Sequence, residues 1–131
     1  MRALLFREKE FLLVESIAKK CKFLEDVSQA LQLPNVVVCN ERVENLSSGY
    51  RNRYDIVTVR AVTNLSQLWK WAVPLLKTNA FMLTWKKYNT PEIEDLKSSV
   101  RKQKMIRVLT PENDFGLERI KETRIIKVIK L

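Results

Sequence analysis

Short apolar runs recur along the chain, and between them lie longer stretches whose apolar residues are spaced as on a helix. The runs are rich in valine, isoleucine and aromatic residues, which fit the pleated surface of a sheet. We therefore predict six strands. They correspond to residues 10–16 (EFLLVES), 35–39 (NVVVC), 54–62 (YDIVTVRAV), 80–85 (AFMLTW), 104–110 (KMIRVLT) and 123–131 (TRIIKVIKL).

The first helix is predicted between the first two strands, over residues 17–32. Ser16 is a suitable N-cap, because its hydroxyl can accept a hydrogen bond from the first turn. Pro34 is expected to end the helix, because the residue before a proline avoids the helical conformation. One apolar face is expected to contain Phe23, Leu24, Val27, Ala30 and Leu31.

The second helix is predicted over residues 65–77, with Thr63 or Asn64 as its cap. Pro74 is expected to kink or shorten it, because proline lacks the backbone N–H that a helix interior needs. Four of its residues are expected to face inward and two tryptophans to lie on its flanks. The inward residues are Leu65, Leu68, Ala72 and Leu76, and the flanking ones are Trp69 and Trp71.

The predicted order of elements is β-α-β-β-α-β-α-β-β, with a third helix that starts at Thr90 and Pro91. Short apolar strands that alternate with helices indicate an α/β fold with a mostly parallel sheet. The last two strands have no helix between them, so we expect them to form a C-terminal antiparallel hairpin. The sequence shows no repeat and no linker, and we predict a single domain over residues 1–131.

Length, composition and cysteine usage restrict the class of protein. The chain has 131 residues, of which 46% are hydrophobic, enough for a core. No apolar run approaches the roughly 20 residues of a membrane span, and the N-terminal apolar stretch is too short for a signal peptide. Cys21 and Cys39 are isolated and lack metal-ligand spacing. We therefore expect reduced thiols in a cytoplasmic protein, with no membrane contact and no metal.

The charge distribution raises the question of a polyanionic partner. The formal net charge is +9, and the sequence from Lys97 onward contains ten Lys or Arg residues but only four acidic residues. Such an excess suits nucleic acid, and it equally fits a basic surface that keeps a protein soluble. Lys19, Lys20 and Lys22 lie in the first turns of the first predicted helix, where cations oppose the helix dipole. That placement weakly favours a nucleic-acid role.

Two residue types are scarce enough to exclude some chemistry. The chain has no histidine, which removes the commonest general base and metal ligand. It has only two glycines, Gly49 and Gly116, and they are far apart. A glycine-rich phosphate-binding loop needs several glycines close together, so this sequence contains none.

Four segments, in this order, resemble one known family. They are similar to the bacterial small-subunit rRNA guanine-N7 methyltransferases, the RsmG family, also called glucose-inhibited division protein B, over about residues 3–130. The resemblance implies a Rossmann-like methyltransferase sheet and S-adenosylmethionine (SAM) as cofactor. It also implies methyl transfer to a guanine N7 of 16S rRNA in the small ribosomal subunit. The segments are LVESIAKKCKFLEDV (13–27), NERVEN (40–45), YDIVTVRAV (54–62) and WAVPLLK (71–77).

The resemblance assigns cofactor roles to residues that follow successive predicted strands. Glu15, beside Ser16, is expected to bind the cofactor ribose, because a carboxylate suits two vicinal hydroxyls. Val43 and Glu44 are expected to flank the adenine. Arg60 is expected to lie by the cofactor or the substrate. These residues would gather at one edge of the sheet.

Each of these residues also has a plainer interpretation. Glu15 is also typical of an acid at a helix start, where the dipole favours it. Glu44 is also typical of a surface acid paired with Arg42. Arg60 also fits a strand that has simply reached water. Local sequence leaves these alternatives open.

The resemblance also implies how RNA is held. Lys86 matches a lysine that could meet rRNA phosphate, and basic residues of the first helix and the C-terminal third would make further phosphate contacts. A solvated basic surface is the alternative for all of them. The candidate RNA-binding residues are Lys19, Lys20, Lys86, Arg101 and Lys102.

The sequence departs from the family pattern at its start. The family carries a first strand and a glycine-rich loop, and we expect this chain to lack both, as an N-terminally truncated member. Two rival hypotheses follow. The first is a non-catalytic, basic RNA-binding protein derived from a methyltransferase. The second is a half-protein that another chain completes, in a homo- or hetero-oligomer.

Overall fold

The chain forms two compact units, Met1–Ser47 and Ser48–Leu131, and each has its own sheet. The single domain remains a prediction. The third predicted helix lies outside the described residues apart from Asp95. The computed structural model describes residues 7–60, 63–87, 95, 104–109 and 123–131.

The first unit contains two parallel strands and the helix that connects them. Strand β1 (Phe11–Glu15) pairs with β2 (Val36–Asn40), and the helix α1 (Ala18–Ala30) lies between them in sequence. Parallel neighbours need such a crossover, because a tight turn can join only antiparallel strands. The register runs from Phe11 opposite Val36 to Glu15 opposite Asn40, so both strands end together.

Helix α1 does not begin with the predicted serine cap. Its N-cap is Ile17, which makes no side-chain capping bond, and the prediction for Ser16 was wrong. Glu15 acts in its place, because its Oε1 accepts a hydrogen bond from the Ile17 backbone N–H at 3.1 Å. A glutamate reaches farther than a serine, so it can satisfy a free amide at the helix start from two residues away.

The end of α1 is a Schellman motif rather than a direct stop at the proline. Gln32 has φ of 50°, and its N–H donates to the Gln29 carbonyl at 3.0 Å. The Leu33 N–H donates to the Ser28 carbonyl, also at 3.0 Å, and the Leu33 side chain is buried. These two bonds satisfy carbonyls that the helix end leaves open. Pro34 therefore follows a helix that has already ended.

The predicted apolar face of α1 was partly wrong. Leu24 and Val27 are half-buried as expected, but the only fully buried residue of the helix is Cys21. Phe23 is 66% exposed, although it was predicted to pack inward. Two residues apart on a helix means about 200° of rotation, so a face centred on Cys21 turns Phe23 towards solvent. Ala30 and Leu31, also predicted inward, are exposed as well.

The second unit contains a four-stranded mixed sheet in the order β3-β4-β6-β5. β3 and β4 are parallel, whereas β4 with β6 and β6 with β5 are antiparallel. The predicted combination of parallel strands with a C-terminal antiparallel pair is therefore confirmed. The bounds are β3 (Tyr54–Arg60), β4 (Leu76–Lys87), β5 (Lys104–Leu109) and β6 (Thr123–Lys130).

Helix α2 (Leu65–Ala72) connects β3 to β4 and is shorter than predicted. Asn64, one of the two predicted caps, accepts a hydrogen bond from the Gln67 N–H at 2.9 Å. The helix ends two residues before Pro74, as expected for a residue that cannot continue the ladder. In the described part of the chain, neither α1 nor α2 is long and apolar enough to cross a membrane.

The core of the second unit lies between α2 and one face of the sheet. Trp69 was predicted on a flank of the helix, but it is buried and belongs to this core. Thr84 also lies in the strand face that packs here, fully buried, and its hydroxyl has no hydrogen-bond partner among the described residues. Its β-branched shape fits the space, at the cost of an unsatisfied polar atom. The core residues are Leu65, Leu68, Trp69, Ala72, Leu76, Ala80, Met82, Ile126 and Val128.

Strand β4 begins four residues earlier than the predicted strand. Tyr54 pairs with Leu76 and Ile56 with Phe81, so the register shifts and β4 bulges between these pairs. Asn79, inside the bulge, has φ of 67°. Asparagine is among the residues that tolerate this left-handed conformation best.

Lys130, near the chain end, connects β6 to the segment between α2 and β4. Its Nζ donates to the carbonyl oxygens of Leu76 at 2.8 Å and Val73 at 3.0 Å. It also donates to Oδ1 of Asn52 at 3.0 Å. All three donors of the ammonium group are used, and Val73 caps the C-terminus of α2, where the helix dipole favours a cation.

We predict that Lys130→Ala lowers the free energy of unfolding by about 1.5–3 kcal/mol, because charge-assisted hydrogen bonds are lost together. The exposed Lys70 of α2 offers a matched control, and Lys70→Ala is expected to change stability by less than about 0.5 kcal/mol. Urea denaturation of both variants checks the prediction. Equal effects of the two substitutions would contradict it.

Candidate functional site

The candidate cofactor residues of the first unit lie where the two parallel strands end. Glu15 is the last residue of β1 and is paired with Asn40, the last residue of β2. A single 3-10 turn, Val43–Asn45, follows almost directly. The structure therefore places Glu15, Ser16, Val43 and Glu44 in the segments that leave the carboxyl edge of this sheet, the edge at which open α/β sheets bind ligands.

The backbone of Glu15 is held by three donors. Its carbonyl oxygen accepts from the Glu41 N–H and from Cys21 Sγ, each at 3.1 Å. With its amide turned to donate, Asn40 reaches the carbonyl oxygens of Glu15 and Ser16 at 3.2 Å. So many donors on one carbonyl fix the end of β1, and the Glu15 carboxylate leaves the sheet from a fixed point.

The Glu15 carboxylate has one occupied and one open oxygen. Oε1 accepts from the Ile17 N–H, which confirms the plainer interpretation as an acid at a helix start. Within the described residues, Oε2 makes no hydrogen bond, and the residue is half-buried. One oxygen therefore orients the group while the other remains available to a hydroxyl donor. The structural and the ligand-binding interpretations are compatible.

The turn after β2 is organised by an acid that sequence reasoning missed. Oε1 of Glu41 accepts from the Arg42 N–H at 2.9 Å and from Nδ2 of Asn45 at 3.4 Å. Glu44 is exposed, and the described residues contain no ion pair between it and Arg42. Val43 is half-buried. The carboxylate of Glu41 therefore shapes the turn, and Glu44 is left facing solvent.

Arg60 belongs to the second unit. It is the last residue of β3, it is exposed, and it pairs with Trp85 of the parallel strand β4. Lys86 follows Trp85 in β4, so both residues lie at the carboxyl end of the parallel pair. That Arg60 lies beside Glu15 and Glu44 at one common edge stays a prediction.

Two of the candidate RNA-binding lysines lie in the first turn of α1. Lys19 and Lys20 are exposed, and their side chains make no hydrogen bond or ion pair to any described residue. Lys22 differs, because its Nζ lies 2.9 Å from Oδ1 of Asp26, and this carboxylate raises the pKa of the lysine. The other candidates, Arg101 and Lys102, lie outside the described residues.

Cys21 is a buried residue in the first turns of α1, while Cys39 is half-buried in β2. Both are free thiols. Burial, followed by the negative charge of Glu15, raises the pKa of the Cys21 thiol above its ordinary value. A protonated thiol suits its position, because Sγ donates to the Glu15 carbonyl. In the ranges that the structure describes, no group of three or more acids or cysteines could hold a metal ion.

Comparison with known proteins decides the family. Residues 2–119 match the family model described as GidB, rRNA small subunit methyltransferase G. The chain belongs to this family. The resemblance of its four segments to the RsmG family is thus confirmed.

Curated relatives agree, and each carries the name Ribosomal RNA small subunit methyltransferase G. The protein of Fusobacterium nucleatum is 36% identical over 99 residues, which are 76% of this chain and 43% of the relative. The protein of Clostridium tetani is 31% identical over 133 residues, covering 92% of this chain and 56% of the relative. The chain spans about half the length of the curated relatives it matches.

Solved structures share the fold. An rRNA methylase from Streptococcus thermophilus superimposes with a TM-score of 0.68 at 11% identity, over 98% of this chain and 78% of that chain. A methyltransferase from Geobacter sulfurreducens gives 0.67 at 12% identity, over 95% and 60%. At these identities the likeness concerns the fold, and it confirms the predicted Rossmann-like α/β methyltransferase architecture.

The two thiols should differ in reactivity with pH. In Cys39→Ser, which leaves only Cys21, we expect alkylation by iodoacetamide to be slow at pH 8 and to rise as pH passes the raised pKa, because only the thiolate reacts. In Cys21→Ser, which leaves the more accessible Cys39, alkylation should be faster at pH 8. Mass spectrometry of timed samples measures both rates. Faster reaction of Cys21 at pH 8 would contradict the assignment.

Proposed function

We propose that this chain provides cofactor and RNA contacts for a SAM-dependent transfer of a methyl group to a guanine N7 of 16S rRNA. Membership of the family supports the reaction class. One structural observation carries the proposal for this chain. It is the Glu15 carboxylate, which stands at the carboxyl end of two parallel strands with one oxygen anchored and the other unbonded in the described part.

The residues at this edge fit the adenosine half of SAM. A carboxylate with a free oxygen can accept from a ribose hydroxyl, which is the role we assign to Glu15, with Ser16 beside it. The short turn that contains Val43 and Glu44 would flank the adenine, because an apolar side chain and an exposed carboxylate suit a ring and its amino group. Arg60 is proposed as a further cofactor or substrate contact.

The methyl transfer requires little from the protein beyond positioning of the methyl donor and the guanine. When bound, SAM supplies an electrophilic methyl group on its sulfonium. The guanine N7 has an in-plane lone pair and no proton to remove. Holding the methyl donor and the acceptor nitrogen in line can remove a large part of the activation barrier of such a reaction. We therefore assign no catalytic acid or base to any residue of the chain, and its lack of histidine is no obstacle.

Cations that lack a protein partner would bind the rRNA backbone. Within the part of the chain that the structure describes, Lys19 and Lys20 meet this description. We propose the same role for Lys86, Arg101 and Lys102, on the basis of the family resemblance. A net charge of +9 favours such a partner. The small ribosomal subunit is the proposed substrate, and the cytoplasm the proposed location.

The cofactor role is tested by titrating SAM into the full chain by isothermal calorimetry. We expect Glu15→Gln to weaken binding about 10- to 150-fold, because a hydrogen bond to a charged acceptor is lost. Glutamine keeps an oxygen for the Ile17 N–H, so the helix start is retained. Glu25→Gln removes the same charge from the exposed part of α1 and should leave binding unchanged.

Three results would count against this assignment in different ways. Equal SAM affinity of Glu15→Gln and the unmodified chain would remove Glu15 from the site. Salt-sensitive RNA binding without any SAM binding would favour the rival hypothesis of a non-catalytic RNA-binding protein. SAM binding that appears only in an oligomer, measured by light scattering, would favour completion by another chain.

The RNA role is tested by the salt dependence of binding to a fluorescent single-stranded oligoribonucleotide. We expect the double variant Lys19→Ala, Lys20→Ala to lower affinity and to reduce the slope of log K against log salt by about 0.7 for each lost phosphate contact. Lys22→Ala is the control, because Lys22 is neutralised by Asp26. An unchanged slope in the double variant would contradict the proposal.

A further inference from the structure

The most exposed large hydrophobic side chain of the described residues lies on the outer surface of α1. Phe23 is 66% exposed, more than Val37, Ile17 or Ile56. It lies about 200° around the helix from Cys21, the buried residue of α1, and so it faces away from the side that packs on the sheet. Phenylalanine is usually buried inside a protein, and an exposed phenylalanine loses the stabilisation that burial provides. A role at the surface would account for its position.

Lys19 and Lys20 occupy positions next to Phe23 on the helix surface. Lys19 precedes Phe23 by four residues and Lys20 precedes it by three. Residues at these spacings are neighbours on a helix surface, with Cβ atoms about 5–6 Å apart. The ring is therefore flanked on its N-terminal side by two exposed ammonium groups whose side chains have no partner among the described residues.

The acid nearest to the ring on its other side is already neutralised. Asp26 follows Phe23 by three residues, and its Oδ1 lies 2.9 Å from Nζ of Lys22. The first turn of α1 contains no acidic residue. The surface next to Phe23 is thus positive on the side of Lys19 and Lys20. On the side of Asp26 the charge of the acid is balanced by Lys22.

From this juxtaposition we infer that Phe23 is a stacking platform for an unpaired RNA base, with Lys19 and Lys20 contacting the phosphates beside that base. Proteins recognise single-stranded RNA by combining aromatic faces for bases with cations for the backbone. The inference rests on the proposed function, because it specifies how the same surface would hold rRNA. It adds that the bound RNA is unpaired at this point.

The charge argues for RNA rather than for a protein docked on the ring. A protein interface centred on a phenylalanine is depleted of lysine, because burying an unpaired ammonium group is costly. Here the two lysines border the ring and lack acidic partners among the described residues. Phosphate groups would supply the missing charge while the base covers the ring.

The test uses the full chain and an oligoribonucleotide that carries 2-aminopurine, whose fluorescence is quenched when it stacks. We expect Phe23→Ala to lower affinity for the single strand about 5- to 150-fold and to abolish the quench, while the salt slope is unchanged. Phe23→Trp should keep affinity and quench, because an aromatic face remains. Val37→Ala removes another exposed apolar side chain, 61% exposed in β2, and should have no effect.

The possible results separate this inference from the proposed function. If Phe23→Ala binds RNA like the unmodified chain while the lysine double variant is weakened, the stacking role is wrong and the RNA role stands. If the unmodified chain binds no RNA, both fail. Equal affinity for duplex and single-stranded RNA would also overturn the stacking role. If Phe23→Ala instead converts an oligomer to a monomer in light scattering, with RNA binding retained, the ring is a protein interface.

Discussion

Parallel strand pairing is the constraint on which both units of the chain depend. β1 pairs with β2, and β3 with β4, in the same direction. Each pair needs a helix to return the chain to the starting edge, and α1 and α2 fulfil that need. Because parallel strands end at the same edge, the residues that follow them are brought together without any contact between their side chains. Glu15 and the turn after Asn40 lie close together for this reason.

The two crossover helices differ in how they are held, and the difference shows in the surface that each exposes. α2 buries four residues, including Trp69, and has an asparagine cap. α1 buries only Cys21 and depends on bonds at its two ends, to Glu15 at the start and in a Schellman motif at the finish. A helix with so narrow a buried stripe has most of its residues exposed. Phe23 lies on this exposed surface, together with Lys19 and Lys20, whose side chains have no partner among the described residues.

Glu15 illustrates how one residue can stabilise the fold and also suit the cofactor role proposed for it. Its carbonyl ends β1 and accepts bonds from Glu41 and Cys21, and one carboxylate oxygen supports the first amide of α1. The same bonds that stabilise this corner also immobilise the second oxygen. A site residue positioned in this way loses little conformational entropy when it binds a ligand.

The sequence by itself determined the strands and the edge to which Glu15 belongs, because these follow from β-branched runs and the direction of parallel strands. For α2 it predicted residues 65–77 with a kink or a shortening at Pro74, and only the structure showed that the helix ends at Ala72. The sequence also carried the family, through segments that match in order. Only the tertiary structure decided which side of α1 faces the sheet, because Cys21 and Phe23 are both apolar and lie on opposite sides of the helix. It likewise decided that Trp69 is buried, and that Lys130 reaches Asn52, 78 residues away in the chain. Contacts between distant residues depend on how the elements pack, and local patterns carry no information about that packing.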